Sequence, residues 1–178
     1  MGTSKGLIGT FAVVTLLAWS FGAQALAADA KAELIEREHK CNEAPTLDEA
    51  LECYDSSDDL VVYDINTPRE FDGPKALRAD FAPFFDNFKN PKYEYSNERA
   101  IIAGKLAFTN LIVHMTATDK NGKAVDMTWR STNVWRKENG TWKIIHAHYS
   151  VPVDMASAKQ TCSRSPRRRF QLQFNEML

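Results

Sequence analysis

The side chains able to do chemistry collect in a few places along this 178-residue chain. One carboxylate, Asp64, closes the apolar run Leu60-Val-Val-Tyr63. A carboxylate at the edge of an apolar cavity holds its proton more tightly than one in water, and can act as a general base that moves a proton between carbons. Beside Ile65-Asn-Thr-Pro68 it has a second reading, as a cap on that turn. The run Trp142-Lys-Ile-Ile-His-Ala-His-Tyr-Ser150 carries two histidines and a serine at alternate places. Strand side chains alternate between faces, so Trp142, Ile144, His146, His148 and Ser150 are expected together, as a pocket floor that grades from apolar to hydrogen-bonding. His114 shares the alternation of Leu106, Phe108, Asn110 and Ile112, either as a hydrogen-bonded core residue or as a pocket wall. Trp129, Asn133 and Trp135 share a face, with Arg130 and Asp126 opposite. His114, His146 and His148 would hold a metal only if their rings converged, so no metal and no cofactor are expected.

The elements that position these groups follow from pattern. Residues 30–40 read as a helix, with Leu34 and Ile35 inward. Thr46-Leu-Asp-Glu49 is a capping box that opens a second helix reaching about Tyr54. Residues 60–64 form a short strand, which Asn66-Thr-Pro68 breaks. Asp72-Gly-Pro74 opens a third helix whose Leu77, Phe81, Phe84, Phe85 and Phe88 make a broad aromatic stripe. That stripe is either core or the wall of a cavity, and Pro83 within it predicts a kink or a division. After Pro91 the pattern turns to strands at 93–103, 105–118, 125–137 and 141–151. Turns at Gly104, Asn121-Gly122 and Asn139-Gly140 join them, the last being the strongest hairpin signal in the chain. Asn139-Gly-Thr141 is also a formal glycosylation sequon. Helices followed by an antiparallel meander define an α+β domain.

Lys5, the apolar stretch 7–19 and the small-x-small sites Ala23-Gln-Ala25 and Ala25-Leu-Ala27 make residues 1–27 an expected export signal. The stretch is shorter than the roughly 20 residues a spanning helix needs, so no stable membrane insertion is expected. The mature protein is then periplasmic or secreted. One domain at 29–155 and a basic tail at 156–178 account for the rest. Cys41 and Cys53 flank the junction of two helices, where an oxidising compartment allows a bridge; Cys162 is left over. No close Cys-Cys or Cys-His pair suits zinc. Residues 1–28 hold one cation, and 156–178 hold five cations and one acid. Residues 29–155 therefore carry 16 cations against 22 acids, a net charge of −6. Such an acidic domain is a poor partner for nucleic acid.

The segments Asp59-Leu-Val-Val-Tyr-Asp64, Phe71-Asp-Gly-Pro-Lys-Ala-Leu-Arg-Ala-Asp-Phe81 and Thr132 to Ser150 resemble the SnoaL-like, nuclear-transport-factor-2-like superfamily. They are most similar to the association-domain branch of calcium/calmodulin-dependent protein kinase II and its bacterial single-domain relatives. The resemblance spans residues 31–153. It implies a cystatin-like cone, three N-terminal helices on a strongly curved antiparallel sheet, with an internal pocket and a homodimer or larger ring built through the sheet. It implies no single activity, because fold does not fix function. Asp64 matches the catalytic base of the steroid isomerases in this superfamily, while their tyrosine and protonated aspartate are not reproduced. His148 and Ser150 match the His-x-Ser ending of the association-domain branch, without its arginines. The leading expectation is a small-molecule-binding domain lined by Tyr63, His114, Trp129, Asn133, Trp135, His148 and Ser150. The alternatives are an isomerase or dehydratase, with Asp64 as base and His148 or Asn133 polarising a carbonyl, and a non-catalytic assembly module.

Overall fold

The structure, a computed structural model, describes residues 28–156 and 159–160. The expected export segment at 1–27, Cys162 and the Arg-rich run at 163–169 lie outside the described residues. In chain order the elements are helix α1 (residues 28–42), α2 (Leu47–Leu51), strands β1 (Val61–Tyr63) and β2 (Phe71–Asp72), α3 (Gly73–Asn87), β3 (Phe88–Ala103), β4 (Leu106–Asp119), β5 (Ala124–Glu138), β6 (Thr141–Ser150), β7 (Val153–Asp154) and β8 (Lys159–Gln160). The helices pack on a curved, unclosed six-stranded sheet in the order β2-β1-β6-β5-β4-β3. The α+β cone is the expected one.

Local chemistry explains most boundaries. Thr46 Oγ1 accepts from the Glu49 amide at 3.2 Å and faces the Glu49 carboxylate at 3.0 Å, the capping box read from sequence. Asn139 and Gly140, with φ of 49° and 86°, give the left-handed pair that a two-residue hairpin requires. Pro83 lies inside α3, and of the two expected outcomes, a kink or a division, the helix is not divided. The carbonyl that loses its partner belongs to Ala79, an exposed residue, where water can satisfy it. Strand β3 begins at Phe88, earlier than expected, and its register slips between Lys89 and Lys92 and again between Ser96 and Arg99.

Two features correct the sequence reading. The sheet is mixed, because β1 runs parallel to β6, with Val61 opposite His146 and Tyr63 opposite His148. Alternation does not reveal strand direction, and here α3 and the whole meander supply the long crossover that a parallel pair demands. Second, β6 carries a bulge. Val134 pairs with His146 and Trp135 with Ile144, so Ile145 is an extra residue between two regular stretches. Before it, Trp142 and Ile144 face the core; after it, Ala147, Tyr149 and Val151 do. His146, His148 and Ser150 are turned to the outer face, so they do not share a face with Trp142 and Ile144. The edge contact changes at the same point. Ile144 exchanges backbone bonds of 2.8 Å with Cys53 and Asp55, whereas residues 146–148 pair with β1.

The core fills the space between the inner sheet face and the helices. Leu34 of α1 and Leu77 of α3 are fully buried against Trp135, Trp142 and Ile144. Cys41 and Cys53 form a disulfide with Cα atoms 5.9 Å apart, tying the end of α1 to the segment that leads into Tyr54. This bridge closes a short loop, so replacing both cysteines by serine should lower the unfolding free energy by about 2–4 kcal/mol in chemical denaturation. The loss should disappear when the unaltered protein is compared under reducing conditions.

Candidate functional site

A cavity of about 360 Å³ opens between α1, α3 and the inner face of the sheet. Its wall on the α3 side is the aromatic stripe read from sequence, with Phe81, Phe84, Phe85 and Phe88 all lining the space. Phe84 meets Phe85 and Phe88 edge-on, with ring centroids 5.5 and 5.1 Å apart. The strands contribute Tyr93, Met115, Met127, Trp129, Asn133 and Tyr149. An apolar hollow with a few fixed polar groups is the usual form of a small-molecule site.

The most constrained polar group is Glu38, which projects from α1 and is 1% exposed. Its Oε1 accepts from the Asn133 side-chain amide at 2.8 Å and from the Ser131 hydroxyl at 3.3 Å. Its buried Oε2 makes no hydrogen bond of ordinary geometry among the described residues, nor does Asn133 Oδ1, although the Thr109 hydroxyl is close enough to favour the charged carboxyl. Removal from water pushes the Glu38 carboxyl up to about 7, against the smaller opposing effects of Thr109, Asn133 and Ser131. Burial of a partly satisfied carboxylate is costly, and holding the proton lowers that cost.

Two tyrosines lie against the same space. The hydroxyls of Tyr54 and Tyr149 are 2.6 Å apart, and burial raises both phenols above their ordinary range, so both stay neutral. Tyr54 also meets Phe81 edge-on at 5.5 Å. At another part of the cavity Asp64 follows β1. Its Oδ1 accepts from the Ile65 amide at 2.6 Å and its Oδ2 from Asn66 Nδ2 at 3.2 Å. The two readings of Asp64 therefore coincide: it caps the turn and lines the cavity. Asp80 of α3 joins it. Burial, then the adjacent Asp64 carboxyl, pushes the Asp80 carboxyl well above its ordinary range. Two carboxyls this close favour one shared proton.

Of the residues expected at the site, Asp64, Trp129 and Asn133 line the cavity. Trp135 shares their face but is fully buried in the core, its indole donating to Thr109 Oγ1 at 2.8 Å. Tyr63, His148 and Ser150 stand away from the cavity. Tyr63 is 39% exposed and packs edge-on against His146 and His148 at 5.1 and 5.9 Å. His148 is exposed on the outer face, so it does not share the cavity with Asp64; the bulge at Ile145 is the reason. His114 lies on that outer face too, its Nε2 3.0 Å from Asp126 Oδ1 and its Nδ1 3.8 Å from Glu94 Oε2. Among the described residues no group of three His, Cys, Asp or Glu side chains is placed to hold a metal ion. The sequence reading missed Glu38, Asp80, Tyr54 and Tyr149 as site residues. A signal existed for the acids. Glu38 follows the buried Leu34 by four places, and Asp80 lies between Leu77 and Phe84, so each falls on the inward stripe of its helix.

A family model described as a SnoaL-like domain matches residues 39–154. Among solved structures, the chain is similar to an NTF2-like protein of unknown function from Pseudomonas putida, at 22% identity and a TM-score of 0.66, covering 78% of this chain and 98% of that one. The association domain of C. elegans CaMKII is similar at 19% identity and a TM-score of 0.54, with 71% and 96% covered. A proposed dehydratase of the NTF2-like family from Streptomyces avermitilis is similar at 15% identity and a TM-score of 0.62, with 71% and 99% covered. Likeness at these identities concerns the fold. A search of curated proteins found no match.

The raised Glu38 sets the sign of a pH effect. The folded state holds this proton up to about 7, whereas the unfolded chain releases it near the ordinary 4.5. Stability should therefore be highest in acid and fall as pH rises from about 5 to 7, by on the order of 2–3 kcal/mol from this group. Asp80 acts in the same direction. Denaturant titrations across that range should show the decline, and Glu38→Gln should remove the Glu38 share of it and make the slope shallower. An unchanged slope in the variant would remove Glu38 as its source.

Proposed function

Since the chain belongs to the SnoaL-like domain family, we propose that it is a small-molecule-binding domain that holds a partly apolar organic molecule in the cavity between α3 and the inner sheet face. The observation that carries this reading is an aromatic-walled hollow of about 360 Å³ lined by a buried carboxyl whose second oxygen makes no hydrogen bond among the described residues. Unsatisfied buried acceptors are costly, and a ligand that brings a donor relieves that cost. The open space also counts against an assembly module whose interior is filled by its own side chains.

The protein acts as an exported homodimer, which a second, different contact would extend to a larger ring. Export is supported by the Cys41–Cys53 disulfide, since such bridges persist in oxidising compartments. No helix among the described residues is long and apolar enough to cross a membrane. Pairing through the sheet is supported by its outer face, where half-buried Phe108, Ile112 and Val134 adjoin Ile101, which is 62% exposed. Apolar area of this kind gains by being covered.

A second reading rests on the Asp64–Asp80 pair. Two adjacent carboxyls inside one apolar cavity, with Asp80 pushed up by burial and by its neighbour, suit a proton-transfer enzyme, an isomerase or dehydratase, with Asp64 as base and Asp80 as the protonated partner. Asn133 would then polarise the ligand, and His148 has no part in the step.

Native mass spectrometry of protein purified from its own cells tests the binding reading. A dimer carrying one retained organic molecule per protomer is expected, and Met127→Trp, which fills the cavity, should lose that molecule. Empty protein from every preparation would contradict the reading. If the retained molecule is turned over, Asp64→Asn should abolish turnover with the melting temperature nearly unchanged. Undiminished turnover in that variant would take Asp64 out of the mechanism.

A further inference from the structure

The charged groups of the cavity are one-sided. Glu38, Asp64 and Asp80 line it, and among the described residues no lysine, arginine or histidine does. An anionic ligand would meet three carboxyl groups and no countercharge, at close range and away from water, where repulsion is strongest. Once Glu38 has released its proton, the free positions are acceptors as well. Glu38 Oε2 and Asn133 Oδ1 are each buried and, among the described residues, without a hydrogen-bond partner. Asn133 already spends its amide on Glu38, which fixes its oxygen as the end left open. What would satisfy this set is a group with several N–H donors and a positive charge.

The rest of the lining agrees. The faces and edges of Phe81, Phe84, Phe88, Tyr93 and Trp129 surround the space. Aromatic rings attract a cation through their quadrupole, and the attraction grows when water is excluded. Acidic clusters are common on protein surfaces, where they mean little. Glu38 differs because it is 1% exposed and still belongs to the lining of the hollow.

We propose that the cavity selects an organic ammonium ion, an apolar, aromatic-sized molecule bearing a primary or secondary amine whose N–H groups are received by Glu38 and Asn133. This rests on the reading of the domain as a small-molecule binder and specifies the class of ligand. The apolar part of the ligand lies against the α3 phenylalanines and the charge sits at the α1–β5 end of the cavity.

Three probes with a common phenyl group separate the possibilities: 2-phenylethylammonium, 2-phenylethanol and 3-phenylpropanoate. Calorimetry on the purified protein at about pH 8, above the range in which Glu38 and Asp80 titrate, reads their affinities. The ammonium probe should bind about tenfold or more tightly than the alcohol, and the carboxylate should not bind measurably. Glu38→Gln should weaken the ammonium probe about tenfold and the alcohol by clearly less. If the alcohol or the carboxylate binds as tightly as the ammonium probe, the cation preference is overturned while the cavity stays a binding site. If none of the three binds, both readings fall. Equal losses for ammonium and alcohol in Glu38→Gln would overturn the assignment of Glu38, since they mark a change of shape. The ranking on the unaltered protein needs no variant, so a poorly folded mutant does not protect the proposal.

Discussion

Strand side chains alternate strictly, so a single extra residue reverses every face that follows it. In β6 that residue is Ile145, and it decides what the cavity contains. Without it, two imidazoles would point between the sheet and α3. With it, Ala147 and Tyr149 take those places and the histidines move outside. The bulge lies where the neighbouring backbone changes from Cys53–Asp55 to β1. The same shift brings the Tyr149 hydroxyl to Tyr54. The electrostatic character of the interior thus follows from a backbone irregularity on its far wall.

What remains inside is acidic and poorly countered. Glu38 is held by neutral donors from β5, and Asp80 is set beside Asp64, so both acids keep their protons to higher pH than usual. Uncharged, they weaken the empty fold less than buried ions would. They also give the site a reserve of negative charge for a partner able to draw it out. Binding and proton transfer are therefore not opposed readings here. A cavity whose acids sit near neutrality can first hold a ligand and, with the right carbon acid in place, exchange a proton with it.

Much of the fold was legible in the sequence because its signals are local. The Asn139-Gly140 hairpin, the Thr46–Glu49 box, the alternation along β4 and the aromatic spacing of α3 each depend on a few adjacent residues. The pairing of Cys41 with Cys53 followed from their place at the junction of two helices. Asp64 was singled out by the family resemblance, and alternation put Trp129 and Asn133 on one face without saying which way it looked. The bulge was not legible. Ile144 and Ile145 are both apolar, so either register satisfies the hydrophobic pattern, and only the pairing of β6 with β5 and its other neighbours decides. The parallel β1–β6 contact was hidden for the same reason. Glu38 was passed over because an acid on a helix is ordinarily solvated, although its spacing from Leu34 placed it inward.

The central claim is that the interior is a desolvated, acidic hollow centred on Glu38. Carbon-13 NMR of the labelled glutamate side chains, followed through a pH titration of the empty protein, reports on that carboxyl directly. The account expects one glutamate to titrate near 7, and that signal to vanish in Glu38→Gln. A Glu38 that titrates with the ordinary glutamates, near 4.5, would mean a wetted or countercharged site and would contradict the account.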